Sequence, residues 1–238
     1  MTQNAIKYFV IFAMLLNHIA AVFLDRGTLL HEIFTDIGYF TAVTMCYFLA
    51  EGYRYTHSKR SYAARLLVFA LVSELPFCLA FSETGALEFV GWNMIFTLLI
   101  CFLILCVFEY NEGSEMRFMV ISILLVATYN SDWAFLAPVF TLMFHIAYGD
   151  RRRVAGAYVI AAFLFGIENF ANAVYEYTII QSIGIAMIRG GVILLAGVIV
   201  LFFYNGQRGQ RSWGSKWIFY IFYPLHLLIL GVIRIWCF

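Results

Sequence analysis

The chain has 238 residues, of which 63% are hydrophobic and 12% charged, with a formal net charge of +1. A soluble globular domain carries about 25% charged residues, so this composition excludes a water-soluble fold and describes an integral membrane protein. The near-zero balance provides no basic face for nucleic acid and no acidic or basic tail.

Spans need about 20 apolar residues. Candidates follow in chain order at Ile6–Leu24, Ile33–Gly52, Ala63–Phe81, Asn93–Phe108, a short segment Phe118–Tyr129, Trp133–Ala147, Val154–Phe170, Ile183–Tyr204 and Trp217–Trp236. Most Lys and Arg lie in three connections: Arg54 to Arg65, the triplet Arg151, Arg152 and Arg153, and Arg208 to Lys216. The positive-inside rule places all three in the cytoplasm, and this alternation holds only if Phe118–Tyr129 also crosses. The expectation is therefore an all-α integral membrane protein, a bundle of about nine transmembrane helices with a cytoplasmic N-terminus. Residues 1–238 form a single transmembrane domain, with no soluble domain to house an active site. The first apolar segment is interrupted by His18 and lacks a charged leader region, so it is read as an uncleaved span. The five cysteines all fall in apolar stretches without CxxC spacing; they are read as small buried hydrophobes, with neither disulfide nor metal expected.

Ionisable residues inside spans are costly and mark cavities or partners. Lys7, His18 and Asp25 fall within about 20° of one another on a helix. His18 lies about 16 Å beyond Lys7 along the axis. A lone buried histidine is usually structural, but one stacked above a lysine on a polar stripe reads as functional. The second span ends in Glu51-Gly52-Tyr53-Arg54-Tyr55-Thr56, the third carries Arg65 and Glu74, and Asn93 and Thr97 open the fourth. The last span runs from Lys216 through Tyr223-Pro224-Leu225-His226. Lys59 and Arg60 read as simple cytoplasmic anchors. Glu51 and Glu74 read equally well as partners of basic residues on neighbouring helices. His145 and Arg189 receive no role.

The runs Lys7…Asn17-His18, Phe48 to Thr56, Tyr62…Arg65…Glu74…Pro76-Phe77, Asn93…Phe96-Thr97, Tyr204-Asn205-Gly206 and Lys216…Tyr223-Pro224-Leu225-His226-Leu227 resemble the TraX family along nearly the whole chain. The resemblance implies a multi-pass acetyltransferase of the bacterial inner membrane, in a family named for acetylating the pilin N-terminus. It also implies kinship with the wider transmembrane acyltransferases, including the acyltransferase-3 family. In those proteins a basic residue is followed eleven positions later by a membrane-embedded His, the spacing of Lys7 and His18. Many TraX members carry Asp before that His. Asn17 stands there in this chain, keeping hydrogen-bonding capacity but dropping a charge that would favour imidazolium.

On this reading acetyl-CoA enters from the cytoplasm, with Lys7, Arg54, Arg65 and Lys216 around its phosphates and Glu51 counted with that mouth. Arginine grips phosphate through its planar fork, and lysine adds a point charge. His18 is expected to act as general base while an amine or hydroxyl acceptor attacks the thioester from the outer side. Asn17, Asn93, Tyr223 or His226 would hold the imidazole or stabilise the oxyanion. The acceptor is a protein amine, a glycan or a small molecule; nucleic acid is not a partner. The rival functions are a proton-coupled secondary transporter using Lys7, His18, Glu51 and Glu74 as a relay, and a non-enzymatic membrane scaffold. The first commonly shows paired halves with interrupted helices, which the sequence lacks. The second leaves the alignment of Lys7 with His18 unexplained.

Overall fold

A computed structural model describes residues 1–82, 87–110, 113–207, 209 and 213–237, with the side chains of the last segment described from 217 onward. Among these residues the chain forms α1 (Gln3–Phe23), α2 (Leu29–Tyr55), α3 (Lys59–Phe81), α4 (Met94–Glu109), α5 (Ser114–Ala127), α6 (Leu136–Ala147), α7 (Arg151–Ala173), α8 (Ile179–Val198) and α9 (Trp213–Cys237). A π-helical turn, Ile199–Phe203, extends α8.

Local chemistry sets the starts of these helices. Thr2, Ser58, Asn93 and Asp150 accept backbone N–H bonds at the N-termini of α1, α3, α4 and α7, satisfying donors that a helix leaves orphaned. Thr178 and Gln181 close a reciprocal capping box on α8. Pro76 and Pro224 lie inside α3 and α9, where neighbouring helices can satisfy the backbone groups a proline frees.

Six segments are long and apolar enough to cross a bilayer: α1, α2, α3, α7, α8 with its π turn, and α9 from Trp217. The protein is therefore a helical membrane protein. The other three helices fall short: α4 has 16 residues, α5 has 14 and α6 has 12, or roughly 18–24 Å against about 30 Å of hydrocarbon. The expected span from Trp133 begins only at Leu136, because residues 128–134 are turns and Trp133 and Phe135 adopt positive φ. The expected stripe also needs correction. Because α1 ends at Phe23 and Leu24 is extended, Asp25 leaves the helical face that carries Lys7 and His18. The cysteines divide: Cys46, Cys78 and Cys101 are buried, Cys106 is half-buried and Cys237 is exposed at the end of α9.

The chain divides into two compact units. The first comprises residues 1–20, 24–44 and 147–211. Its α7 and α8 approach through small residues: a Cβ on Gly190 would meet the Ala162 carbonyl oxygen at 3.0 Å, and one on Gly166 the Ala186 oxygen at 3.3 Å. Close backbone packing of this kind is how helices associate in lipid, where no hydrophobic force drives them together. The second unit comprises residues 21–23, 45–146 and 212–238, with α3 packed on α4 and α9, and α4 on α5. Trp92, before α4, pairs in parallel with Ser131, before α6. The Trp92 N–H donates to the Asn130 carbonyl at 2.7 Å, and the Asp132 N–H to the Trp92 carbonyl at 2.9 Å. These bonds tie the residues just before α4 to those just after α5.

Candidate functional site

In the first unit, Lys7 and His18 remain on one uninterrupted helix, where eleven residues bring them back to within about 20° of the same face. His18 is 7% exposed and Lys7 half-buried. Beside His18, Asn17 donates from Nδ2 to the Thr35 carbonyl of α2 at 3.2 Å. Gly38 makes that approach possible, since a Cβ there would lie 2.3 Å from Asn17 Cβ.

The same unit contains an ionic cluster that the sequence left unassigned. Arg189 of α8 donates from Nη1 to Asn169 Oδ1 at 2.8 Å and from Nη2 to Glu32 Oε2 at 3.1 Å, while its Nε lies 3.4 Å from Asp36 Oδ1. Its guanidinium also stands 5.4 Å from the Tyr39 ring centroid. One planar fork thereby ties α2, α7 and α8 together. Glu32 and Asp36, four residues apart on α2, share a face, and that spacing was the available signal.

In the second unit the structure brings together three of the predicted residues. Asn93, fully buried, caps α4 through Oδ1, which accepts from the Ile95 and Phe96 N–H groups. Its Nδ2 donates to the Ala70 carbonyl at 2.8 Å and to Glu74 Oε2 at 2.6 Å. Glu74, read from sequence as a possible partner for a basic residue, is here the acceptor for a neutral amide. One residue on, the Met94 N–H donates to the Tyr223 hydroxyl at 3.2 Å. Tyr223 lies 5.8 Å from the His226 ring, which is stacked on Phe222 and donates from Nδ1 to the Phe222 carbonyl at 2.7 Å. That bond fixes the Nδ1–H tautomer and leaves Nε2 as the acceptor nitrogen. Glu74, Asn93, Tyr223 and His226 thus form one polar node where α3, α4 and α9 meet.

The other residues expected at the site lie nearer the opposite end of α3. Arg54 donates from Nη2 to the His145 carbonyl at 2.9 Å, and His145 Nε2 pairs with Glu109 Oε1 at 2.8 Å. Arg65 donates to Ser61 Oγ at 3.0 Å and stands 5.3 Å from the Tyr62 ring centroid. Glu51 is buried at 3% exposure. Lys216 falls in the first turn of α9, and its side chain lies outside the described residues. Arg65 and Glu74 are nine residues apart on α3, about 13 Å along its axis. Within this unit, a basic end and a polar node therefore share one helix.

Beside the node, the α3–α4 and α5–α6 connections border an open hollow of about 450 Å³ lined in part by Phe77, Phe89, Trp92, Asn130, Ser131 and Asp132. Gly91 also lines it at φ +128°, and a Cβ there would strike the Asn130 carbonyl oxygen at 2.8 Å. Glycine is what lets the two connections pair. Burial pushes the Asp132 carboxyl up to about 6, and the Trp133 N–H it accepts only partly offsets this. Sequence reading missed Asp132, which acquires its surroundings only through the pairing of two loops.

A half-buried ionic cluster, a capped polar node and a histidine-bearing first helix make this a helical membrane protein whose apolar helices carry ionisable and polar groups. The family profile described as "TraX protein" matches residues 2–234, and the chain belongs to that family. It is 28% identical over 232 residues to a "Probable fimbrial assembly protein FimC, serogroup H1" of Dichelobacter nodosus, covering 94% of this chain and 92% of that protein. No solved structure matches.

Proposed function

We propose that this chain is a membrane-embedded acetyltransferase that moves an acetyl group from cytoplasmic acetyl-CoA to an amine or hydroxyl acceptor at the outer side of the bacterial inner membrane. The observation that carries the reading is family membership along residues 2–234 together with a buried His18 eleven residues after Lys7 on one helix. The name of the fimbrial relative supports a pilin-like protein as acceptor.

In this reading His18 is the general base of the first unit. It takes the proton as the acceptor's nitrogen or oxygen attacks the thioester carbon, and returns it to the sulfur as the carbon–sulfur bond breaks. The products are the acetylated acceptor and CoA thiol. Arg54 and Arg65, in the second unit, are cations for the nucleotide's phosphates. Asn93 has both of its amide groups engaged within the node, so its role is to hold the start of α4, and with it the Tyr223 hydroxyl, in place.

The test uses purified protein in nanodiscs, following acetyl-CoA binding and CoA release with an acceptor present. His18→Ala is expected to bind acetyl-CoA yet release no CoA, and Arg54→Ala to bind it at least tenfold more weakly. Parent-rate transfer by both variants would sink the proposal.

A further inference from the structure

The hollow between the α3–α4 and α5–α6 connections has a composition that selects for charge. Among the described residues, its walls include three aromatic rings, Phe77, Phe89 and Trp92, and one carboxylate, Asp132, and no Lys or Arg. The rings are arranged in advance. Phe89 meets Trp92 edge-on at 5.2 Å, and Trp92 stacks on Phe96 at 4.6 Å with 20° between planes. The floor is fixed too, because Thr97 donates to the Asp132 carbonyl at 2.7 Å and the Asp132 N–H holds the Trp92 carbonyl at 2.9 Å. The backbone that carries the Asp132 carboxylate is therefore anchored.

A carboxylate set among aromatic rings attracts an ammonium and repels anions. The hollow is larger than one ammonium and leaves room for an apolar substituent against Phe77 and Phe89. We infer that this hollow is a recognition site for a primary ammonium group bearing a small apolar substituent, with Asp132 as the counter-ion and Trp92 and Phe89 as its aromatic walls. Such a group occurs at a peptide's amino terminus and in an ethanolamine lipid headgroup. The inference rests on the acetyl-transfer reading only for its purpose, which is to hold an amine-bearing acceptor beside the Asn93–Tyr223 node. As a binding site it stands on the geometry of the second unit alone.

The experiment measures binding in the absence of acetyl-CoA, so that it does not depend on transfer. Purified full-length protein in phosphatidylglycerol nanodiscs is titrated by calorimetry with alanyl-phenylalaninamide and with its N-acetyl form, which has the same shape without the charge. The expected result is about a tenfold preference for the free amine, the scale of one charge-assisted contact. Asp132→Asn is expected to abolish that preference while keeping the affinity for the acetylated form. Phe89→Ala, at a ring that is 58% exposed, is expected to weaken the free amine several-fold. Equal affinity of the parent protein for the two peptides overturns the inference, as does a preference that survives Asp132→Asn. Repeating the titration with phosphatidylethanolamine in the disc identifies the source: competition marks the lipid headgroup and its absence the peptide terminus, each an ammonium. A preference that persists in a protein without acetyl transfer upholds the site while the acetyltransferase reading fails. Transfer without the preference has the opposite consequence.

Discussion

Removing the side chain of Asn93 tests the polar node most directly, because every hydrogen bond it makes has a named partner. Its Oδ1 caps α4 at the Ile95 and Phe96 N–H groups, and its Nδ2 donates to Ala70 and to Glu74. Loss of an Asn cap costs about 1 kcal/mol. A hydrogen bond to a charged group contributes about 1.5–3 kcal/mol in water-soluble proteins, but polar contacts between membrane helices average closer to 0.6 kcal/mol. Asn93→Ala leaves Glu74 Oε2 only the longer bond, at 3.4 Å, from the backbone N–H of residue 93, and because the site is fully buried the combined loss comes to about 3 kcal/mol. Asn93→Asp separates the contributions: it keeps the cap and suits the positive end of α4, but it loses both donors and sets a second carboxylate against Glu74. It should therefore cost at least as much as the alanine. Adding Glu74→Gln reverses the bond, with an amide now donating to a carboxylate, and should recover most of that loss. The assay is reversible unfolding in mixed micelles followed by circular dichroism. An Asn93→Ala protein within about 1 kcal/mol of the parent would refute the reasoning, as would a double variant no better than Asn93→Asp.

Two further outcomes follow from groups with defined partners. Arg189→Leu strands the Glu32 and Asp36 carboxylates, which are 40% and 21% exposed, and should cost about 3 kcal/mol, while Arg189→Lys, a point charge in place of a fork with four partners, should cost about 1–2 kcal/mol; a neutral Leu variant in the same unfolding assay would refute the clamp. For Asp132, the folded-state carboxyl is raised from 3.8 to about 6, so the folded protein holds the proton more tightly and ionisation costs stability as pH climbs through that window. Asp132→Asn removes the cost, and its gain in unfolding free energy over the parent should grow from pH 4 to pH 7, on the order of 2 kcal/mol at the upper end. Glu74 and Tyr223 face the same region in both proteins and cancel in the comparison; a gain independent of pH would contradict the assignment.

The helices were legible in the sequence because a bilayer permits few alternatives, and apolar stretches bounded by charge are enough to find them. Where the reading failed, hydropathy was the wrong guide. Trp133, Ala134 and Phe135 are as apolar as a span, yet they form turns before α6 because two of them adopt positive φ. Asp25 shares its helical phase with His18, but phase is meaningless once α1 has ended at Phe23. Periodicity shows which residues share a face and leaves open which helix that face meets. For that reason Asn93, Tyr223 and His226 could be grouped as candidates around His18, but their meeting with one another and with Glu74 could not be read. Arg189 lacked partners until α2, α7 and α8 were packed together. Asp132 lay further still from view, because its environment is made by a bond between two loops about forty residues apart.

The three-residue run Trp92-Asn93-Met94 explains why a membrane protein keeps a glutamate in α3. Trp92 makes the loop pairing and one wall of the hollow, Asn93 caps α4 and engages Glu74, and the Met94 N–H engages Tyr223. Each residue faces a different element, so no single apolar replacement could hold all three. A hydrophobic residue at position 74 would pack well and would lower the cost of burial. It would also release the Asn93 amide, and with it the start of α4, leaving Trp92 and Tyr223 fixed only by their own contacts. The ionisable group therefore serves position more than stability. The acetyltransferase reading needs such a device, because a hydroxyl displaced by about 1 Å forfeits much of what preorganised donors contribute to a transition state.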